Sequence, residues 1–418
     1  MPFLPRPVPA AGEVEYRDWH PQPWILGFIA ALVLGITLGT SLLLLWPRGW
    51  LAPYEYHLWR WEADTILSNV FARVGIGPNP GQADGEAALR SYFKLTSELR
   101  AAEDAPSPDA ALVGTLTNER ANYSNDVERV LERYITEAVT TAGLERQLPL
   151  FSGVAITWPP VDFKLTTPPQ LLVLSRRDKI VRSGDTLLHS GLTLNQIEHI
   201  EAKADNSTYV SIVVPIGGLA AYPAIVESDT SYDSLVDTSS HEWVHHYLAF
   251  FPLGQQFYTG PEGETLNETT ANIAGREIGN LIRKAHPLSL PAGADGNTPA
   301  GPAPTVNFSA EMQKLRQQVD ALLAAGKVSE AEQAMDDERQ YLDAHGITIR
   351  KINQAYFAFY GTYANTAQSS SPIGPKVEKV WALTKDVGLF LKVMREVTSE
   401  HDLDVAIQRL TAASNGEK

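Results

Sequence analysis

The 418-residue chain contains no cysteine. Disulfides, thiolate metal sites and cysteine nucleophiles are therefore all excluded, and any metal must be held by His, Asp or Glu. Positive charge is also scarce, with 34 Lys and Arg against 49 Asp and Glu and a formal net charge of −15. A nucleic-acid partner would call for a basic stripe, so none is expected. No internal repeat occurs, which sets aside solenoid and array architectures. What is present is 44% apolar composition, enough for a substantial core in one large or two modest domains.

One long hydrophobic run stands out. From Trp24 to Trp46 there is no charged residue, and the length suits a bilayer core of about 30 Å, with Trp24, Trp46 and Trp50 where an aromatic belt would lie. A signal peptide is the rival reading, but the preceding tail is long, Pro-rich and not basic, and no small-residue cleavage site follows. The expectation is a single-pass anchor in the cell membrane. Arg6 and Arg17 before the run nearly balance Arg48 and Arg60 after it, so the charge rule scarcely orients the chain. The reading leans to a main domain outside the cytoplasm.

Hydrophobic spacing divides the rest. Residues 1–23 read as a flexible tail, 24–46 as the transmembrane helix, and 47–147 as a helical region with helices near 54–74, 85–102 and 117–143. Residues 148–285 hold short β-favouring segments at 158–163, 171–175, 179–182 and 209–218, followed by two helices. Residues 286–308 form a Pro/Gly-rich loop, and 309–418 read as a helical bundle with helices at 309–325, 329–345, 347–367 and two after Pro375. The expected class is α+β, mainly helical, with a small β-sheet beside one special helix.

That helix carries His241-Glu242-Trp243-Val244-His245-His246. Residues four apart differ by about 40° in azimuth, so His241 and His245 project from one face and can share one ion, with Glu242 beside them to take a proton from water. Leu235, Val236, Val244, Leu248 and Phe251 give the same helix an apolar side, and 227–230 supply candidate N-caps. A second apolar-periodic helix, 266–282, opens with Asn267-Glu268-Thr269-Thr270-Ala271-Asn272, so Glu268 can lay a carboxylate against the pair. Glu264 and Glu277 are weaker candidates for the third ligand. Asn272 is assigned to the free ring N–H of a ligand histidine. Zn²⁺ suits two imidazoles and a carboxylate, leaving a fourth position for water. His246, about 100° round the helix, is expected to pack or meet solvent. The strand ending at Gly217 and Gly218 could hydrogen-bond an extended peptide, although a plain strand-end turn explains both glycines as well.

These residues resemble the gluzincin class of zinc metallopeptidases, in which HExxH is completed by a Glu from a following helix. Asn267-Glu268-x-x-Ala271 matches one form of that helix, while Asn272 departs from the Asp of the other form. More loosely, 267–279 and 352–363 look like the corresponding stretches of bacterial putative aminopeptidases. The resemblance implies His241, His245 and Glu268 as zinc ligands, Glu242 as general base, and an oxyanion donor at Tyr363, or next Tyr360, on a helix that also carries Tyr356. The expected activity is hydrolysis of a peptide or protein substrate. Glu262 or Glu264 would hold the substrate amine if the enzyme worked from the N-terminus. A membrane-tethered scaffold with a structural metal, its fourth position filled by His246 or Glu264, is the alternative, and a non-peptide hydrolase a third.

Overall fold

Asp109 starts the longest helix among the described residues. In the computed structural model its Oδ1 accepts the N–H groups of Ala111 and Leu112, so the helix runs Ala110–Thr141 (α2) rather than from 117. The structure describes residues 49–62, 65, 85–147, 155–257, 259–290 and 305–416. The expected tail (1–23) and membrane span (24–46) lie outside them, as do most of 54–74 and of the 286–308 loop. Among the described residues, no helix is long and apolar enough to cross a membrane. Residues 49–53 form a short turn, and everything below concerns the unit from Tyr54 onward.

Helix α2 packs on α1 (Gly85–Glu103) through stripes such as Leu89, Tyr92 and Phe93 against Val127, Leu131 and Ile135, all fully buried. The chain then pairs β1 (Arg146–Gln147) with β2 (Ala155–Ile156). Pro159 and Pro160 have no N–H to give a ladder, so the next strand begins only at β3 (Phe163–Thr166), later than the spacing predicts. Strands β4 (Gln170–Arg176), β5 (Arg182–Leu188) and β6 (Tyr209–Pro215) form an antiparallel sheet in the order β5-β4-β6. Of the segment expected at 179–182, only Arg182 belongs to a strand; the residues before it lie in the connection to β5, where Ser175 Oγ accepts Val181 N–H. Helix α3 (Leu194–Ala204), between β5 and β6, has no counterpart in the expected elements. A second sheet, in the order β3-β8-β7, joins β7 (Gly218–Leu219) and β8 (Ala224–Glu227), with β3 and β8 parallel.

The other edge of β3 is covered by side chains of α2. Glu132 accepts Phe163 N–H (3.2 Å) and Glu128 accepts Leu165 N–H (2.8 Å), with Lys164 on Glu128. Burial first, then the charge of Asp162, pushes the Glu132 carboxyl from 4.5 up to about 8; Glu128 adds to the rise and Lys164 opposes it. The folded state therefore binds a proton that the unfolded chain releases, and stability falls as pH rises from about 4.5 through about 8. Glu132→Gln keeps the acceptor and removes the charge. It is expected to match wild type in thermal denaturation at pH 5 and to exceed it by on the order of 2 kcal/mol at pH 9; equal melting at both pH values would refute this.

The remaining helices are α4 (Tyr232–Leu248), α5 (Pro252–Gln255), α6 (Pro261–Ala285), α7 (Phe308–Ala324), α8 (Val328–Ala344), α9 (Gln354–Tyr360), α10 (Ile373–Thr384), α11 (Val387–Met394) and α12 (Glu400–Gly416). They do not form one C-terminal bundle. Helices α7–α9 close over the β5-β4-β6 sheet around Leu171, Val173, Ile212, Val214, Met335 and Phe357. Helices α10–α12 instead join α1, α2, α4 and α6 in a separate core. Two amphipathic surfaces needed cover, the sheet and α6, and the C-terminal helices are shared between them. Three helices follow residue 372 rather than two, and Pro375 sits in the first turn of α10, where a missing N–H costs little.

Candidate metal centre

Helix α4 begins at Ser231, whose Oγ accepts Ser234 N–H; the cap lies one residue beyond the expected 227–230. Four residues of its expected apolar side, Leu235, Val236, Val244 and Leu248, are fully buried, while the fifth, Phe251, lies past the helix end at Leu248 and is half-buried. Trp243 anchors another face by donating Nε1–H to Pro159 O (3.0 Å). Helix α6 lies close against α4 because it presents Gly275 there. A Cβ on Gly275 would stand 2.9 Å from His241 N and Cα, tighter than a carbon contact allows. This approach brings the second turn of α6 up to the two histidines.

His241 Nε2 and His245 Nε2 are each 3.4 Å from Glu268 Oε2, and 2.9 Å from each other. Ligands at about 2.0–2.1 Å from a tetrahedral ion would be separated by about 3.4 Å. Both imidazole–carboxylate edges have that length, and the imidazole–imidazole edge is shorter. Glu268 Oε2 is buried and accepts no hydrogen bond, so its lone pairs are free for a cation. The donor set of two nitrogens and one carboxylate oxygen fits a divalent first-row metal. Among the described residues, these three form the one His/Cys/Asp/Glu group whose ligand atoms converge in this way.

The electrostatics follow from burial and crowding. Burial alone would lower the His245 imidazole, but the Glu268 carboxylate beside it carries it up to about 9. Glu268 is held well below its ordinary range: burial opposes its charge, and the adjacent imidazoles outweigh burial. Proton and metal thus compete for the same nitrogen.

Asn272 does not hold a ligand histidine by the bond assigned to it. Its Nδ2–H donates to Asn365 Oδ1 (3.0 Å), while Asn267 Oδ1 accepts from His245 Nδ1 (2.7 Å). The side chain next to Glu268 leans toward α4, and the one a turn later leans toward the chain after α9, a distinction set by how the helices cross. The Asn267 bond leaves the lone pair of His245 on Nε2, facing the site. Asn267→Ala is expected to weaken metal binding about 10- to 100-fold in chelator competition. Unchanged affinity would mean that packing alone orients the ring.

Glu242 is 6% exposed and lies against Gly218, where any Cβ would overlap its carboxylate. Burial raises its carboxyl above the ordinary value; the two histidines pull it down and Glu268 pushes it up. Gly217 has open space around its Cα and serves the turn into β7. Tyr363 is not on the expected helix. Helix α9 ends at Tyr360, and the following turn docks on α6, where Ala364 N–H donates to Thr269 Oγ1 (3.0 Å). That docking leaves the Tyr363 ring 6.3 Å from the His241 ring. The charge of Glu268, then burial, pushes its phenol well above 10, so it remains an O–H donor. Tyr360 also lines the cleft, and Tyr356 packs in the second core.

The alternative ligands turn elsewhere. Glu264 pairs with Arg182, which also meets Asp185 at 2.6 Å. Burial raises the Glu264 carboxyl to about 7, although Arg182 opposes the rise. Glu277 meets Arg276 and Asn280. His246 hydrogen-bonds Ala221 O. Glu262 accepts Glu400 N–H, so both acids named for a substrate amine are already engaged. Arg182, which nothing in the local sequence singles out, links β5 in one core to α6 in the other across a cleft of 1120 Å³. No family model, curated protein or solved structure matches this chain.

Proposed function

We propose that this chain is a membrane-anchored, zinc-dependent peptidase. One observation carries the reading. Glu242, a carboxylate only 6% exposed, stands beside a convergent His241/His245/Glu268 set without belonging to it, while both candidates for a fourth protein ligand point away. A structural metal would want that fourth position closed by protein. The resemblance of the two helices to gluzincin zinc peptidases agrees with it. Zinc, when bound, supplies a Lewis acid and lowers the pKa of water toward about 7.

The chain's own groups have separable tasks. Glu242 takes the proton of the attacking water and delivers it to the leaving amine. The Tyr363 hydroxyl donates to the carbonyl oxygen as negative charge develops there. Strand β7 is the end strand of its sheet, and Gly217 O already accepts Glu227 N–H from β8. Alternation along the ladder directs the Gly218 backbone groups to the free edge, suited to an extended peptide. The uncharged stretch from Trp24 to Trp46 is the argument for the anchor.

The test is metal analysis of the full chain in detergent, with a quenched-fluorescence peptide library run before chelation, after chelation and after zinc is restored. Cleavage that chelator abolishes and zinc recovers is expected; absent cleavage, or cleavage indifferent to chelator, rejects the peptidase. Resistance to carbonate extraction from membranes, lost when residues 1–46 are removed, is expected for the anchor. Extraction of the full chain rejects that part alone.

A further inference from the structure

Helix α4 carries a second pair of residues four apart. His241 and His245 face the ligand cluster, and Glu242 and His246 lie on the neighbouring face, about 6 Å from each other along the axis. Both members of this second pair touch the segment that begins at β7. Glu242 fills the space beside Gly218, where a Cβ would collide with it. His246 donates Nε2–H to Ala221 O at 2.6 Å, with the Tyr222 ring against its edge at 5.4 Å. Between these points the chain makes a tight turn, in which Ala221 N–H bonds Leu219 O (2.7 Å), and Ala221 is buried. Strand β7 is only two residues long and pairs on one side. Its own ladder is too short to fix where the free edge stands relative to α4. The contacts from α4 do that.

We propose that His246 is a positioning residue for substrate: by gripping the Ala221 carbonyl it sets the height of the Gly217–Ala220 edge above the ligand histidines, so that a peptide paired to that edge presents one carbonyl at the metal. The inference rests on the peptidase reading and specifies which substrates need the device, namely extended peptides. A dipeptide is too short to use the strand and gains nothing from it. A displacement of about 1 Å between strand and metal can cost about 10²-fold in rate.

The test uses the zinc-loaded full chain in detergent with two fluorescein-labelled probes, a Gly/Ala/Leu decapeptide and a dipeptide. For His246→Ala, kcat/KM on the decapeptide is expected to fall about 10- to 100-fold, with less than about a threefold change on the dipeptide and no change in zinc affinity. His246→Gln, whose Nε2–H reaches the same carbonyl, is expected to recover most of the loss. Affinities are read separately by anisotropy in a Glu242→Gln background, where His246→Ala is expected to weaken the decapeptide about tenfold. Equal losses on both probes, altered zinc affinity or failure of Gln to rescue would overturn the proposal, as would a decapeptide that does not bind the unaltered chain. A wild-type chain that cuts neither probe sinks the peptidase reading, and the anisotropy ratio still judges His246.

Discussion

Glu242→Gln is expected to keep its metal and to lose hydrolysis by at least about 10³-fold, roughly 4 kcal/mol of barrier. The substitution is nearly isosteric, so the contact with Gly218 is preserved. Glu242 is not one of the three convergent ligand residues, so the cation should be retained. What disappears is the carboxylate to which the proposal assigns taking a proton from water and returning it to the amine. The amide also has no charge to be buried at 6% exposure, so the variant should melt no lower than wild type. Metal analysis, thermal melting and turnover on the same preparation decide the matter. A variant that still turns over within about tenfold of wild type would remove Glu242 from the reaction.

Glu268→Gln is expected to do the reverse. One of three ligand atoms changes from a carboxylate to an amide oxygen, which removes a unit of negative charge 3.4 Å from both imidazoles. Metal affinity should fall about 10²- to 10⁴-fold, on the order of 3–5 kcal/mol. Activity should return only at high added zinc. The pH behaviour has a definite sign. In wild type without metal, Glu268 carries the His245 imidazole up to about 9, so cation uptake releases a proton at neutral pH. In the variant the largest cause of that elevation is gone, while Glu242 and the Asn267 bond remain, so less proton release is expected. Isothermal titration in buffers of different ionisation enthalpy measures the proton count, and equal release in both proteins would contradict the assigned geometry. The two variants together separate holding the metal from using it.

Much of the site was legible because it is local. A helix places residues four apart on one face whatever surrounds it, so His241, Glu242 and His245 could be read as a unit, and the stripe of Leu235, Val236, Val244 and Leu248 told which side would be buried. Glu268 could be proposed from its motif, but its choice over Glu264 and Glu277 depends on which turn of α6 meets α4. Asn267 and Asn272 were open to confusion for the same reason. They lie on different sides of one helix, and only the crossing of α4 and α6 decides which carboxamide reaches His245. The aromatic spacing continues past Gly361 and places Tyr363 on the helix, but the backbone leaves the helix at Tyr360.

By itself the sequence determined the chemistry available: no thiol, three possible ligand types, one amphipathic helix with an acid beside two imidazoles, and a mainly helical α+β chain. These follow from composition and from periods of 3.6 and 2 residues, which act over a few residues and need no partner. The tertiary structure alone decided which distant groups meet. Close packing at Gly275 delivered Glu268 to the histidines, and the docking of Ala364 on Thr269 brought Tyr363 in. The competition of two apolar surfaces for the same C-terminal helices opened a cleft between two cores, with Arg182 and Glu264 joined across it. Each of these depends on side-chain volume and helix crossing between segments tens to more than a hundred residues apart, information that no local spacing carries.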